Sequence, residues 1–135
     1  MEDPRKKILC IEDDRETAAL IVEELAERRF EPIVAHSGHE GFAEIIKHLP
    51  DLVLCDINLP HMSGFEVLER LTEIAPQFGR IPFVFLTAMA DRENEVRGRH
   101  LGADDYVTSR SISTYFKPSS MLGSRVSRAT KYGRS

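Results

Sequence analysis

Acidic and small polar side chains stand where short apolar runs of this sequence end. Glu12 and Asp13 follow the run KILCI, Asp56 follows DLVLC, and Thr87 and Ala88 follow IPFVFL. Short apolar runs bounded by polar residues are typical of buried strands. In an open α/β sheet, ligands bind outside the carboxyl ends of the strands. We therefore expect these five residues to lie at one edge of a single sheet.

Carboxylates gathered at such an edge repel one another unless a hard cation neutralises them. Mg²⁺ suits that position, because it binds one or two carboxylates and completes its shell with waters and phosphate oxygens. A carboxylate beside Mg²⁺ can attack a phosphoryl group and form an aspartyl phosphate, while the metal screens the negative charge of both groups. The hydroxyl of Thr87 would then hydrogen-bond a phosphoryl oxygen. The pattern indicates phosphoryl transfer to an aspartate.

The elements that must position these residues alternate along the chain. Apolar runs predict strands, and segments with apolar residues three and four apart predict helices. The predicted strands cover residues 7–11, 31–35, 51–55, 81–86 and 105–108, and the predicted helices cover 14–28, 38–48, 65–74 and 91–101. Alternating strands and helices form βαβ units, and strands that are apolar throughout are buried on both faces. The sequence predicts an α/β fold with a doubly wound, five-stranded parallel sheet.

Composition narrows the class of protein. With 135 residues, of which 41% are hydrophobic and 30% charged, the chain suits one soluble domain. It has no apolar run of membrane-spanning length, and its charged start, MEDPRKK, lacks a secretory signal. Cys10 and Cys55 stand inside apolar runs, which is typical of buried, reduced thiols. We expect a cytoplasmic protein that does not associate with a membrane. Its five histidines show no metal-ligand spacing and are predicted to lie at the surface or at helix ends.

Four runs of the sequence follow one another in the order found in a known family: ILCIEDD, LVLCDINLPHMSGFEVL, FVFLTAMAD and LGADDYVT. They resemble the receiver domain of bacterial response regulators over roughly residues 6–108. The resemblance implies a flavodoxin-like, CheY-like fold with strand order 2-1-3-4-5. It also implies a phosphoprotein of a two-component phosphorelay that is not itself an enzyme.

The resemblance assigns roles to four residues of a metal site. Asp56 resembles the phosphoacceptor, and Glu12 and Asp13 resemble the acidic pair, with Asp13 as the direct Mg²⁺ ligand. Asn58 resembles the residue whose backbone carbonyl completes the metal site. Mg²⁺ is therefore the cofactor that the resemblance implies, held by Glu12, Asp13, Asp56 and Asn58.

The resemblance also assigns the residues that respond to phosphorylation of Asp56. Thr87 resembles the switch hydroxyl, and the small Ala88 beside it leaves room for the phosphate. Tyr106 resembles the switch aromatic residue. Pro60 and Gly64 match the turn that follows the acceptor.

Each of these residues alone has an ordinary structural explanation. A lone Asp56 would more often be a helix cap or a loop acid, and Glu12, Asp13 and Asp14 would favour the start of the first helix through its dipole. Thr87 would be a strand-end hydroxyl. The ordered set of residues at the expected strand ends favours the interpretation as a phosphoacceptor site.

The charge pattern changes abruptly at residue 109. Residues 1–108 hold 12 Lys and Arg against 22 Asp and Glu, whereas residues 109–135 hold six Lys and Arg, no acid and eight serines. We therefore divide the chain into a receiver domain at 5–108 and an atypical basic, Ser-rich tail at 109–135. We expect the last helix of the fold to be missing or disordered there. The tail contains no nucleic-acid-binding motif, so a nucleic-acid partner is not expected.

The tail also breaks the family pattern, in which a Lys-Pro pair follows strand five and the lysine reaches the phosphoryl group. Here Ser109-Arg110 stands in that place. Loss of one base from codons for Lys-Pro-Ile-Asp-Phe-Asp would give Ser-Arg-Ser-Ile-Ser-Thr, the sequence of residues 109–114, so a shifted reading frame is one explanation. An insertion that displaces the pair to Lys117-Pro118 is a second. A divergent receiver without the lysine is the third.

The function that the resemblance implies is that of a receiver that takes a phosphoryl group from a histidine kinase or a phosphotransfer protein and acts on a downstream partner protein. A pseudo-receiver that binds partners without phosphorylation is one alternative, which the missing lysine favours. A phosphatase with an aspartyl nucleophile is another. Such an enzyme would usually carry a second acid two residues after the nucleophile, where this chain has Asn58.

Overall fold

Five parallel strands form the centre of the protein. A computed structural model describes residues 5–78, 80–87, 96–97, 99–108 and 112, with the backbone alone at 75–78. The strands are β1 (Lys7–Ile11), β2 (Glu31–Ala35), β3 (Leu52–Asp56), β4 (Phe83–Thr87) and β5 (Asp105–Thr108). They form one sheet in the order β2-β1-β3-β4-β5, and every neighbouring pair is parallel. The predicted doubly wound α/β fold and its strand order are confirmed.

Three helices connect the first four strands: α1 (Arg15–Glu27), α2 (Gly38–His48) and α3 (Gly64–Phe78). The predicted helix at 91–101 lies partly outside the described residues, and residues 96–97 and 99–100 are helical. Strand β4 begins at Phe83, two residues later than predicted. Pro82 has no N–H to donate to a neighbouring strand, although its carbonyl accepts from the N–H of Val53 at 2.9 Å.

Both faces of the sheet are buried, as the continuous apolar strands predict. One face carries Ile11, Cys55 and Phe85 and packs against buried residues of α2 and α3. The other carries Cys10 and Leu54 and packs against α1. Successive strand residues alternate between the faces, so the inner strands β1, β3 and β4 contribute to both cores. The sheet is thus a rigid frame that fixes where its strand ends lie.

The predicted tail contributes one described residue, Ile112. It is buried and packs in the same cluster as Leu86 and Val107. The rest of 109–135, including Lys117, lies outside the described residues, so the boundary at 108 stays a prediction. Within the described part of the chain, none of the helices is long and apolar enough to cross a membrane.

Candidate functional site

The carboxyl ends of β1 and β3 bring three acids together. Strand pairing sets Ile11 opposite Cys55, so Glu12 and Asp13 leave β1 beside Asp56, the last residue of β3. Carboxylate oxygens of Glu12, Asp13 and Asp56 lie within 4.8 Å of one another. The acidic cluster predicted from the sequence is therefore present, formed by residues that are far apart in the chain.

Burial disfavours the ionised form of the carboxyl groups in this cluster. Glu12 is buried, Asp56 is half-buried and Asp13 is exposed. Burial raises the pKa of Glu12 to about 8, helped by a hydrogen bond to Asp56 and by the negative charges of Asp56 and Asp13. Burial also raises the pKa of Asp56, although hydrogen bonds from Glu12 and from the Asn58 backbone oppose the increase. The acids therefore favour retaining a proton or binding a cation.

The loop after Asp56 is folded back against the acceptor strand. The backbone N–H of Asn58 donates to Oδ1 of Asp56 at 3.2 Å, and the side chain of Asn58 is exposed. The N–H of Gly64 donates to the carbonyl of Ile57 at 2.9 Å, and a Cβ at Gly64 would collide with the carbonyl oxygen of Asp56. Pro60 is exposed within the same turn. The loop thus holds the Asp56 carboxylate in a fixed direction.

Thr87 and Tyr106 stand on the next two strands. Thr87 ends β4 and is buried, one residue beyond Leu86, the partner of Asp56 in the strand register. Tyr106 is half-buried on β5 and packs at the edge of the same core cluster as Phe85. Ala88 lies outside the described residues. The structure thus brings Thr87 to the edge that holds the acids, and sets Tyr106 on the adjoining strand.

Comparison with known proteins identifies this arrangement. The family model described as "Response regulator receiver domain" matches residues 8–111, most of the chain. The chain belongs to the response regulator receiver family. Its family therefore places it in two-component signalling, and the resemblance stated from the sequence motifs is confirmed.

Curated relatives and solved structures agree with that assignment. The transcriptional regulatory protein DltR of Streptococcus agalactiae serotype III (strain NEM316) is 39% identical over 102 residues, which are 76% of this chain and 44% of the relative. The phosphate regulon transcriptional regulatory protein PhoB of Rhizobium meliloti (strain 1021) is 37% identical over 101 residues, 75% of this chain and 44% of the relative. The chain therefore spans less than half the length of these curated relatives.

Solved receiver structures cover nearly the whole chain. A receiver domain protein (CheY-like) from Methanospirillum hungatei JF-1 superposes with a TM-score of 0.78 at 27% identity, covering 96% of this chain and 100% of that one. The receiver domain of the Francisella response regulator 1452 gives 0.75 at 26% identity, covering 94% and 98%. The fold of this receiver is thus shared by proteins of quite different sequence.

Sequence reasoning missed a histidine in this receiver. His36 was expected at the surface or at a helix end, but it is half-buried, and its ring Nδ1 lies 3.0 Å from the backbone carbonyl oxygen of Glu12. The signal was available, because His36 directly follows β2, the neighbour of β1. The rule that located the acids, which reads the residues after each strand, also selects His36.

The cap of α1 differs in detail from its sequence interpretation. Asp14 occupies the N-cap position with extended backbone angles, but its side chain accepts no hydrogen bond from the helix backbone. It accepts one from the hydroxyl of Thr17 instead. The backbone N–H of Asp14 donates to Oε1 of Glu12 at 3.3 Å. Asp14 thus helps to orient Glu12 while it begins the helix.

Proposed function

We propose that this chain is a phosphoacceptor receiver in which Asp56 takes a phosphoryl group from a histidine kinase or a phosphotransfer protein. The observation that supports the proposal best is the convergence of the Glu12, Asp13 and Asp56 carboxylate oxygens within 4.8 Å at one sheet edge. Membership in the receiver family supports the same conclusion. In this proposal the chain is a substrate of its partner and not an enzyme.

The oxygen donors fit Mg²⁺. Carboxylate oxygens are the ligands that a hard divalent cation prefers. The pKa of Glu12 is raised mainly by burial and further by the nearby charges of Asp56 and Asp13, and a bound cation would offset both effects. Glu12, Asp13 and Asp56 would hold the ion, together with the backbone carbonyl of Asn58. When bound, Mg²⁺ supplies positive charge that screens both the acceptor carboxylate and the incoming phosphoryl group.

The transfer itself uses the Asp56 side chain. A deprotonated carboxylate oxygen of Asp56 attacks the phosphorus atom and forms a P–O bond, and the bond from phosphorus to the donor nitrogen or oxygen breaks. The electron pair of that bond leaves with the donor atom: a histidine nitrogen then takes up a proton, whereas an acyl phosphate releases its carboxylate as the anion. The hydrogen bond from the Asn58 N–H to Oδ1 would hold the carboxylate in the attacking direction.

The response would begin at Thr87. Its hydroxyl would donate to an oxygen of the new phosphoryl group, and the family role assigned to Ala88 from the sequence is that of a small residue that would leave room for that group. Tyr106, on the adjoining β5, would change position together with Thr87. The added charge at Asp56 thus biases an equilibrium between two conformations, and a downstream protein binds one of them more tightly.

A pseudo-receiver is the second candidate function. The observation that favours it is Ser109-Arg110 in place of the family's Lys-Pro pair after β5. Without the lysine, a phosphoryl group at Asp56 would have one cation fewer beside it. A phosphatase fits less well, because the side chain two residues after Asp56 is the amide of Asn58 and not an acid.

One labelling experiment separates these functions. The purified chain is incubated with a small acyl phosphate, with and without Mg²⁺, beside the variant Asp56→Asn. A receiver acquires one stable, Mg²⁺-dependent phosphoryl group that Asp56→Asn does not acquire. A phosphatase releases phosphate over many turnovers. Absence of label at millimolar Mg²⁺ would contradict the proposal and favour the pseudo-receiver.

A further inference from the structure

We propose that His36 is a positioning residue of the Mg²⁺ site, which it serves by holding the peptide group between Glu12 and Asp13. The inference rests on the proposed Mg²⁺-dependent function. The ring Nδ1 of His36 lies 3.0 Å from the carbonyl oxygen of Glu12. Because a carbonyl oxygen can only accept, Nδ1 carries the proton and donates it. That carbonyl belongs to the peptide bond that joins the two acids.

The orientation of this peptide group sets the relative directions of the two carboxylates. A peptide group is planar, so rotating it changes ψ of Glu12 and φ of Asp13 together. The N–H on the other side of Glu12 donates to the carbonyl of Ala35 at 3.0 Å. The end of β2 therefore holds the backbone of Glu12 on both sides. Mg²⁺ demands near-ideal ligand geometry, so a freely rotating peptide here would weaken its binding.

His36 is itself held in place by the start of α2. Its backbone N–H donates to Oε2 of Glu40 at 3.1 Å. The backbone N–H of Glu40 donates in turn to Oγ of Ser37, the N-cap residue, also at 3.1 Å. These reciprocal bonds resemble a capping box, which fixes the direction in which the chain enters the helix. The imidazole thus approaches Glu12 from a rigid support.

The turn between β2 and α2 also packs against the segment that follows Asp56. Gly38 begins α2 and is buried, and a Cβ placed on it would lie 3.0 Å from Cβ of Met62 and 3.1 Å from the Met62 carbonyl oxygen. Met62 is buried in the turn between Asp56 and α3. His36 therefore contacts the segment of Glu12 and Asp13 through a hydrogen bond, and Gly38 packs against the segment that follows Asp56.

The test compares two amide variants. The amide N–H of His36→Asn lies where Nδ1 lies in histidine, whereas that of His36→Gln lies farther out, near the position of Nε2. Calorimetric titration of the unphosphorylated chain with Mg²⁺ should give a Kd near the wild-type value for His36→Asn. It should give a Kd raised about tenfold for His36→Gln, the lower range for changing a group that orients a metal ligand. The exposed His39 supplies the matched control, since His39→Gln should leave the Kd unchanged.

The labelling rate gives an independent readout. For His36→Gln, the rate should fall at Mg²⁺ concentrations below saturation and recover at saturation, because the variant loses metal affinity and keeps its nucleophile. Equal Mg²⁺ affinities for the two variants would overturn the inference. A rate for His36→Gln that stays low at saturating Mg²⁺ would also overturn it. Failure of the wild-type chain to bind Mg²⁺ would instead overturn the proposed function on which the inference rests.

Discussion

The backbone of Gly64 touches the carbonyl oxygen of Asp56, so helix α3 begins directly against the acceptor strand. A Cβ at Gly64 would collide with that oxygen and lie 3.0 Å from Cα of Ile57. These neighbours are backbone atoms, which cannot move aside as the end of a flexible side chain can. Any side chain larger than hydrogen at residue 64 must therefore displace the strand end that carries Asp56.

Gly64→Ala should for this reason lower both stability and phosphoryl transfer. We expect a loss of about 1–3 kcal/mol in the free energy of unfolding, the usual range for overpacking, and a slower labelling rate in the folded protein. Gly102→Ala is the comparison. Residue 102 has φ +105° with open space around it, so alanine there strains the backbone away from the site. Urea denaturation and acyl phosphate labelling measure the two effects. A normal labelling rate for Gly64→Ala would contradict the prediction.

Glu12→Gln should stabilise the metal-free protein at alkaline pH. The pKa of Glu12 rises from its usual 4.5 to about 8 on folding, so between these values the folded chain binds more protons than the unfolded chain. The free energy of unfolding therefore falls as the pH rises through that window. Glutamine does not ionise, so the variant escapes this loss. We expect its melting temperature at pH 8.5 to exceed that of the wild type by on the order of 4 °C, with a smaller difference at pH 4.5.

Mg²⁺ should reverse that order. The ion binds the folded wild-type site and raises its melting temperature by mass action, whereas Glu12→Gln lacks one ligand charge and gains less. Glu23→Gln, on the exposed face of α1, is the control and should follow the wild type throughout. A melting-temperature difference between metal-free Glu12→Gln and the wild type that stays constant from pH 4.5 to 8.5 would contradict the raised pKa of Glu12.

The two cysteine thiols should be inert while the chain is folded. Burial raises the pKa of Cys10 to about 12, and the charges of Glu12 and Asp56 add to the effect. Burial also raises the pKa of Cys55 well above its usual value. Because the thiolate is the reactive form, a thiol-specific disulfide reagent at pH 8 should react roughly a hundredfold or more slowly with the native chain than with the chain in guanidinium. Rapid reaction of both thiols with the native chain would be inconsistent with this sheet.

Ile112→Ala should destabilise the domain although it lies in the atypical tail. Ile112 is 8% exposed and packs with residues of β4 and β5, so truncation leaves a cavity and should cost about 2–4 kcal/mol. Ile46→Ala is the matched control, because Ile46 on α2 is 44% exposed and should cost less than about 1 kcal/mol. Urea denaturation of the two variants measures the difference. Equal small losses would mean that the tail contributes little to the core.

Much of the fold could be predicted because its signals are local. Short, mostly apolar segments give β1 and β2 with their observed bounds, and the alternation of such segments with amphipathic ones gives the parallel sheet. The predicted start of β4 at residue 81 was wrong, because Pro82 has no N–H to donate to a neighbouring strand. The helix at 91–101 is described only at a few positions, so its predicted bounds stay a prediction.

By itself, the sequence determined which chemistry is available and at which strand ends it stands. Residue type and position are enough to select the candidate site residues, because the apolar run before each one predicts a strand that ends there. These residues are Glu12, Asp13, Asp56 and Thr87. Tertiary structure alone decided their distances and energies. Strand register sets Ile11 opposite Cys55 and so brings the acids within 4.8 Å, and burial raises the pKa of Glu12. The contact of His36 with Glu12 joins two strand ends, and no local pattern of residues contains it.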